Sequence, residues 1–184
     1  MKELSLYILD ITMNSVRAGA SEIKIELEEK NGVLEMIISD NGCGMTAEQV
    51  EKLSDPFYTT RKTRKVGLGV PFLRMLAEMT GGGVTIKSVP ESESSEHGTE
   101  VRALFYTDHI DFVPLGDIVE TIVTLIQGSP DVDFYYVHRT DTGEVKLSVP
   151  EIRQALGDDI PLSSFEVLAW IREYLCEQYR ALKP

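Results

Sequence analysis

Leu34-Glu35-Met36-Ile37-Ile38-Ser39-Asp40-Asn41-Gly42-Cys43-Gly44-Met45 carries the reading of this chain. Its first half is apolar and β-favouring; its second half breaks that run with an acid, an amide and two glycines. A strand ending this way presents a carboxylate at the edge of a sheet, beside backbone that a flat group can approach closely. Alone, Asp-Asn-Gly is a turn signal. Its neighbours along the chain give it a different weight.

Upstream, residues 3–19 read as a helix. Glu3, Asp10, Asn14 and Arg17 share one narrow stripe, flanked by Leu4, Ile8 and Ile11 on one side and Leu6, Leu9, Met13 and Val16 on the other. Such a helix is expected to be mostly buried and to end at Gly19. Ile23–Glu28 alternates as a strand with one wet face, and Asn31-Gly32 turns it into the returning strand Val33–Ser39. Thr46, with Glu48 and Gln49, starts a short helix ending near Leu53.

Downstream, Asp55–Val66 has neither helical nor strand period. It holds Arg61, Lys62, Arg64 and Lys65, and reads as a mobile loop. Gly67-Leu68-Gly69 opens a helix whose buried face is expected to be Phe72, Leu73, Leu76 and Met79, stopped by Gly81-Gly82-Gly83. Val84–Val89 and Thr99–Tyr106 read as strands around an acidic, serine-rich loop. Beyond Asp108 the expected elements are a helix over Leu115–Gln127, strands over Phe134–Arg139 and Glu144–Val149, a short helix over Pro150–Leu156 and a longer one over Ser163–Ala181. The division is thus residues 1–108 and a C-terminal α+β extension, 109–184, docked on the first region because some 75 residues make a thin core alone.

Composition narrows the classes. The chain has 184 residues, 42% hydrophobic and 26% charged, as a globular protein does. A net charge of −12 argues against a general nucleic-acid binder. No apolar run reaches membrane-spanning length, and Glu3 and Asp10 interrupt any signal-peptide pattern. Two cysteines, Cys43 and Cys176, make neither a disulfide framework nor a metal spacing, and a reducing cytoplasm is the expected setting.

The candidate chemistry is in four pieces. Asp10 and Asn14, four apart, share a helix face; either they are a solvated polar stripe, or the amide oxygen is a ligand suited to Mg²⁺ and the carboxylate a proton acceptor. Asp40 can only accept hydrogen bonds, and adenine's amino group donates them; Gly42 and Gly44 admit a flat base, and Met45 offers a soft contact. The cationic loop before Gly67-Leu68-Gly69 is either a solvated surface or a phosphate cover over a glycine-rich helix start. Thr99, after Gly98, either enters a strand or hydrogen-bonds a base edge.

In order and spacing these pieces resemble the Bergerat-fold (GHKL) ATPases, which join gyrase, the heat-shock chaperone, histidine kinases and the mismatch-repair ATPase. Asp10–Ala20 resembles the mismatch-repair asparagine box; Asp40–Met45 the first glycine box; Asp55–Thr60 the phenylalanine box of histidine kinases; Gly67–Val70 half of the second glycine box; Gly98–Val101 the terminal Gly-Thr strand. The resemblance covers about residues 3–106. It implies an α/β fold, a two-layer α/β sandwich with a mixed sheet, binding ATP and Mg²⁺. It implies Mg²⁺ on Asn14, Asp10 as the catalytic base, and nucleotide contact by Asn14, Arg17, Asp40, Gly42, Gly44, Met45, Phe57, Lys62, Lys65, Gly67, Leu68, Gly69 and Thr99.

Three departures stand out. Aspartate replaces the family's usual glutamate at position 10. Lys65 stands where the second glycine box has its first glycine. The helix and strands that often precede the asparagine box are missing. His97, His109 and His138 lack the helical context of a phospho-acceptor, and nothing precedes Leu4 to supply one, so self-phosphorylation is not expected. The short loop 55–66 resembles the kinase branch, as in the anti-sigma serine kinases. The expectation is a stand-alone kinase-like ATPase acting on or gating a protein partner. The alternatives are a non-catalytic nucleotide sensor and a slow ATPase of the mismatch-repair or gyrase type. The tail, 109–184, is the expected place of a partner or a homodimer contact.

Overall fold

The structure is a computed structural model that describes residues 3–53, 69–157 and 159–182. Six strands form one mixed sheet: β1 (Glu22–Lys30), β2 (Val33–Asp40), β3 (Gly83–Val89), β4 (Gly98–Tyr106), β5 (Asp133–Thr140) and β6 (Gly143–Ser148), in the order β3-β4-β2-β1-β5-β6. All neighbours are antiparallel except β1 and β5, which run parallel. The helices are α1 (Leu4–Arg17), α2 (Ala47–Lys52), α3 (Gly69–Met79), α4 (Ile118–Gly128), α5 (Val149–Leu156) and α6 (Phe165–Leu182).

Alternation decides which face of the sheet is covered. Ile23, Ile25 and Leu27 of β1, Leu34, Met36 and Ile38 of β2, Val101, Ala103 and Phe105 of β4, and Phe134 and Tyr136 of β5 are all buried on one side. The intervening residues form a charged lattice on the other face: Arg102 pairs with Glu35 and Glu100, and Arg139 with Glu26 and Glu144. Pairs this exposed contribute little stability; they keep the open face polar. Leu4, Ile8 and Ile11 of α1, Leu73 and Ala77 of α3, Ile122 and Ile126 of α4, and Ile171 and Leu175 of α6 complete one continuous core. This is a two-layer α/β sandwich.

The sheet does not stop at residue 108. β5 pairs with β1 along seven register positions, from Glu22–Asp133 to Glu28–Arg139, and β6 extends the same sheet. The outer backbone of β6 is capped at Lys146, whose N–H and C=O both bond the Gln178 amide of α6, which protects an edge strand from unwanted pairing.

Three expectations are corrected. Leu6, placed on a buried flank of α1, is 40% exposed. Phe72 and Met79 are exposed, while Val70 and Ala77 take the inner face of α3 beside Leu73 and Leu76. The fourth helix begins at Ile118 rather than Leu115, because Asp117 caps it through Glu120 N–H and the Leu115 carbonyl is used by Ser5 N–H of α1. The expected loop 55–66, with Phe57, Lys62 and Lys65, and the residues Gly67 and Leu68 lie outside the described residues.

Candidate nucleotide site

The end of the sheet where β2 stops gathers the sequence-identified residues that the structure describes. Asp40 is the last residue of β2 and stands opposite Thr99 of β4. Its two carboxylate oxygens are held separately: Ser15 of α1 donates to Oδ2 at 2.5 Å, and Gly42 N–H donates to Oδ1 at 2.9 Å. Both donors are neutral, so the carboxylate is oriented by hydrogen bonds while its charge has no cation beside it among these partners.

The glycine-rich turn after Asp40 is anchored on both sides. Asn41 accepts from Ser21 N–H and Glu22 N–H, each at 2.9 Å, and donates to the Ser21 hydroxyl. Cys43 N–H bonds the Ala18 carbonyl at the end of α1, and the Cys43 carbonyl accepts from Glu91 N–H. Protein contacts, not open space, set the need for glycine here. Gly44 has φ +67°, and a Cβ on it would lie 1.9 Å from the Val89 carbonyl oxygen. A Cβ on Gly42 would meet Ala18 and Asp40 Oδ1 at 3.0 Å. Two strands and a helix therefore converge on the turn at backbone distance.

Thr99 belongs to a hydroxyl cluster. Its Oγ1 lies 2.8 Å from Ser88 Oγ; Ser88 also reaches the Gly98 carbonyl at 3.0 Å and accepts from Met45 N–H at 2.8 Å. Gly98 closes the strand pair tightly, since a Cβ there would fall 1.9 Å from the Asp40 carbonyl oxygen.

α1 contributes its polar stripe. Asn14 Oδ1 accepts from Arg17 Nη1 at 3.1 Å. An amide oxygen has a second lone pair, so this contact leaves room for a further partner. Asp10, one turn earlier, lies against the start of α3: a Cβ on Gly69 would sit 1.9 Å from Asp10 Oδ2. Asp10, Asn14, Arg17, Asp40, Gly42, Gly44, Met45, Gly69 and Thr99 thus all lie on the elements that meet at this end of the sheet. An open cleft of about 240 Å³ lies elsewhere, between the β1–β2 and β5–β6 turns at Glu29, Asn31, Thr107 and Asp141.

Sequence reasoning missed Ser15, Ser88 and His97. Nδ1 of His97 donates to the Gly42 carbonyl at 2.5 Å, tying the β3–β4 connection to the glycine turn. Ser15 carried a usable signal: it is a buried hydroxyl on the apolar side of α1, where an unpaired polar group is costly. Ser88 and His97 carried none that local pattern could show. Among the described residues no helix is long and apolar enough to cross a membrane, and no cluster of His, Cys, Asp or Glu could hold a metal ion.

Residues 2–109 match the family model described as Histidine kinase-, DNA gyrase B-, and HSP90-like ATPase. The Sensor histidine kinase ZraS of Klebsiella oxytoca is 31% identical over 90 residues, which are 47% of this chain and 19% of that protein. Sporulation kinase B of Bacillus subtilis is 30% identical over 102 residues, 54% of this chain and 22% of that protein. The chain thus spans about a fifth of the length of these two curated relatives. Among solved structures, the Aquifex aeolicus MutL ATPase domain complexed with ADP superposes with a TM-score of 0.57 at 16% identity, covering 94% of this chain and 69% of that one. At that identity the likeness is one of fold.

Proposed function

This chain belongs to the family of histidine kinase-, DNA gyrase B- and HSP90-like ATPases, and from that premise we propose that it is a nucleotide-dependent regulator: a kinase-like ATPase that acts on or gates a protein partner. The observation that carries the reading is Asp40, held open-handed by Ser15 and Gly42 at the mouth of a glycine turn, with Thr99 beside it.

In this reading Asp40 accepts the adenine amino group and Thr99, through the Ser88 hydroxyl cluster, orders the neighbouring base edge or a water. Gly42, Gly44 and Met45 line the base, and Gly69 starts the helix nearest the phosphates. Mg²⁺, when bound with ATP, supplies charge neutralisation on the phosphates. Asn14 Oδ1 would hold it, sharing its lone pairs with Arg17. The Asp10 carboxylate would accept the proton of the attacking hydroxyl or water. Lys62, Lys65 and Phe57 complete the proposal from the sequence alone.

One observation favours a second reading. Asp10 Oδ2 is packed against Gly69, so its approach to an attacking group depends on how α3 begins. In that case the protein binds ATP without turning it over and only its partner binding responds.

Radiolabelled ATP with the pure protein distinguishes the cases, since released phosphate, self-labelling and bound nucleotide are read separately. Asp10→Asn should keep ATP affinity and lower turnover by roughly 10²–10⁴ if Asp10 is the base. Equal negligible turnover in wild type and variant supports the sensor. Calorimetry with ATP and GTP tests Asp40: guanine offers a carbonyl where adenine offers a donor, and equal affinities would remove Asp40 from base recognition.

A further inference from the structure

We propose that the outward face of α6 is a docking surface for a basic amphipathic segment of a partner protein. The inner face of this helix is fully used: Val167, Leu168, Ile171 and Leu175 are buried in the core. At 100° per residue, Glu166, Trp170, Glu173 and Glu177 fall together away from that face, and Tyr174, one turn after Trp170, lies between them and Val167. Trp170 is 52% and Tyr174 36% exposed, and their rings stack at 5.0 Å and 14°. Two large aromatics kept in water, pre-stacked and outside the core, match the anchors that dominate protein interfaces.

The flanking charges select the occupant. Glu166, Trp170, Glu173, Tyr174 and Glu177 alternate acid with aromatic along the helix, and among the described residues neither Glu166 nor Glu177 has an ion-pair partner. Glu173 pairs with Arg180 at 3.1 Å, with both side chains at least 60% exposed, a contact worth little. A Lys or Arg arriving here meets a carboxylate and an aromatic face at once, so the Coulomb and cation–π attractions act on the same group. A second copy of this face would set glutamates against glutamates, and anionic lipid or nucleic acid would be repelled.

Trp170 is the chain's single tryptophan, so its emission reports this surface directly. The test titrates the full chain, without nucleotide, with an 18-residue amphipathic Leu/Arg peptide and with its Leu/Glu counterpart. The basic peptide should give a saturable change in Trp170 emission, weakened at least 10-fold between 50 and 500 mM salt, and the acidic one none. A triple variant, E166Q/E173Q/E177Q, keeps the aromatics and should lose at least 10-fold in affinity. A control with the same charge change elsewhere, E28Q/E93Q/D131N, should lose less than 3-fold. Equal losses in the two variants would reduce the effect to net charge and overturn the proposal, as would no saturable binding below 1 mM peptide. A dimer in sedimentation that Trp170→Ala abolishes would assign the face to self-association instead. Because no nucleotide is present, failure here leaves the ATP reading untouched.

Discussion

Two strand carboxylates on neighbouring strands, Asp40 of β2 and Glu29 of β1, sit at opposite ends of the sheet and are handled in opposite ways. Asp40 accepts from two neutral donors, Ser15 and Gly42 N–H, among glycines and small hydroxyls. Glu29 accepts from Nε2 of the buried His138 at 3.0 Å; Nδ1 of His138 lies 2.8 Å from Tyr179 OH, which hydrogen-bonds Tyr136 OH. That chain crosses β1, β5 and α6. Its hydrogen bond to His138 holds Glu29 below the ordinary carboxylate range against the opposing effect of burial. Burial pushes Tyr179 up to about 12 and Tyr136 well above its ordinary value. The first arrangement leaves lone pairs of the carboxylate uncommitted; the second closes on itself and fastens the C-terminal helix to the sheet. A carboxylate's role is thus set by what its partners leave unused.

The largest effect should come from the glycines that hold the Asp40 end at backbone distance. Gly98→Ala places a Cβ 1.9 Å from the Asp40 carbonyl oxygen at φ +140°. Overpacking and backbone strain together should cost roughly 2–6 kcal/mol, read as a shift of the urea midpoint. A loss under about 1 kcal/mol would mean that the β2–β4 junction yields easily.

Next comes Asp40→Asn. It should weaken ATP by roughly 5- to 150-fold, the effect of about 1–3 kcal/mol for a mispaired buried partner, while leaving the melting temperature nearly unchanged. A large stability loss instead would make Asp40 a fastener of the Glu29 kind.

The Glu29 end should respond to pH and not to nucleotide. Tyr179 has its folded value raised to about 12 from 10.0, so its contribution is full below pH 10 and is lost as pH rises toward 12. Tyr179→Phe should flatten that alkaline limb and cost about 1 kcal/mol at pH 7, with ATP affinity unaltered. Glu29 has the opposite sign. Its folded value is lowered from 4.5, so its contribution is present above that pH and fades as pH falls below it; Glu29→Gln should flatten this acid limb. A nucleotide-affinity change in Tyr179→Phe would join the two ends.

The smallest effect belongs to Gly69→Ala. Its Cβ would meet the tip of a movable side chain, Asp10 Oδ2, rather than backbone. The cost should be under about 1 kcal/mol, and Asp10→Ala should relieve it, in a double-mutant cycle by chemical denaturation.

Much of the architecture was legible because it is periodic. The alternation of Ile23–Glu28, the Asn31-Gly32 turn and the break at Asp40-Asn41-Gly42 are local signals, and β1, β2 and their hairpin follow from them. The capping box at Thr46 and Gln49 was readable for the same reason. Phe72 and Met79 misled because helical spacing shows that an apolar stripe exists, not how wide a neighbour covers it.

The candidate site was legible as residue types in order, and far less as contacts. Asp40, Asn14 and Thr99 could be named from the chain; that Ser15 steadies Asp40 from 25 positions away, or that Ser88 links Met45 to Thr99, could not. The parallel pairing of β1 with β5, which carries residues beyond 108 into the same sheet, is equally silent in the sequence. Local chemistry specifies where a strand ends and which group it presents. Which groups meet there depends on long-range packing, where many strand orders satisfy the same alternation and only the assembled core selects one.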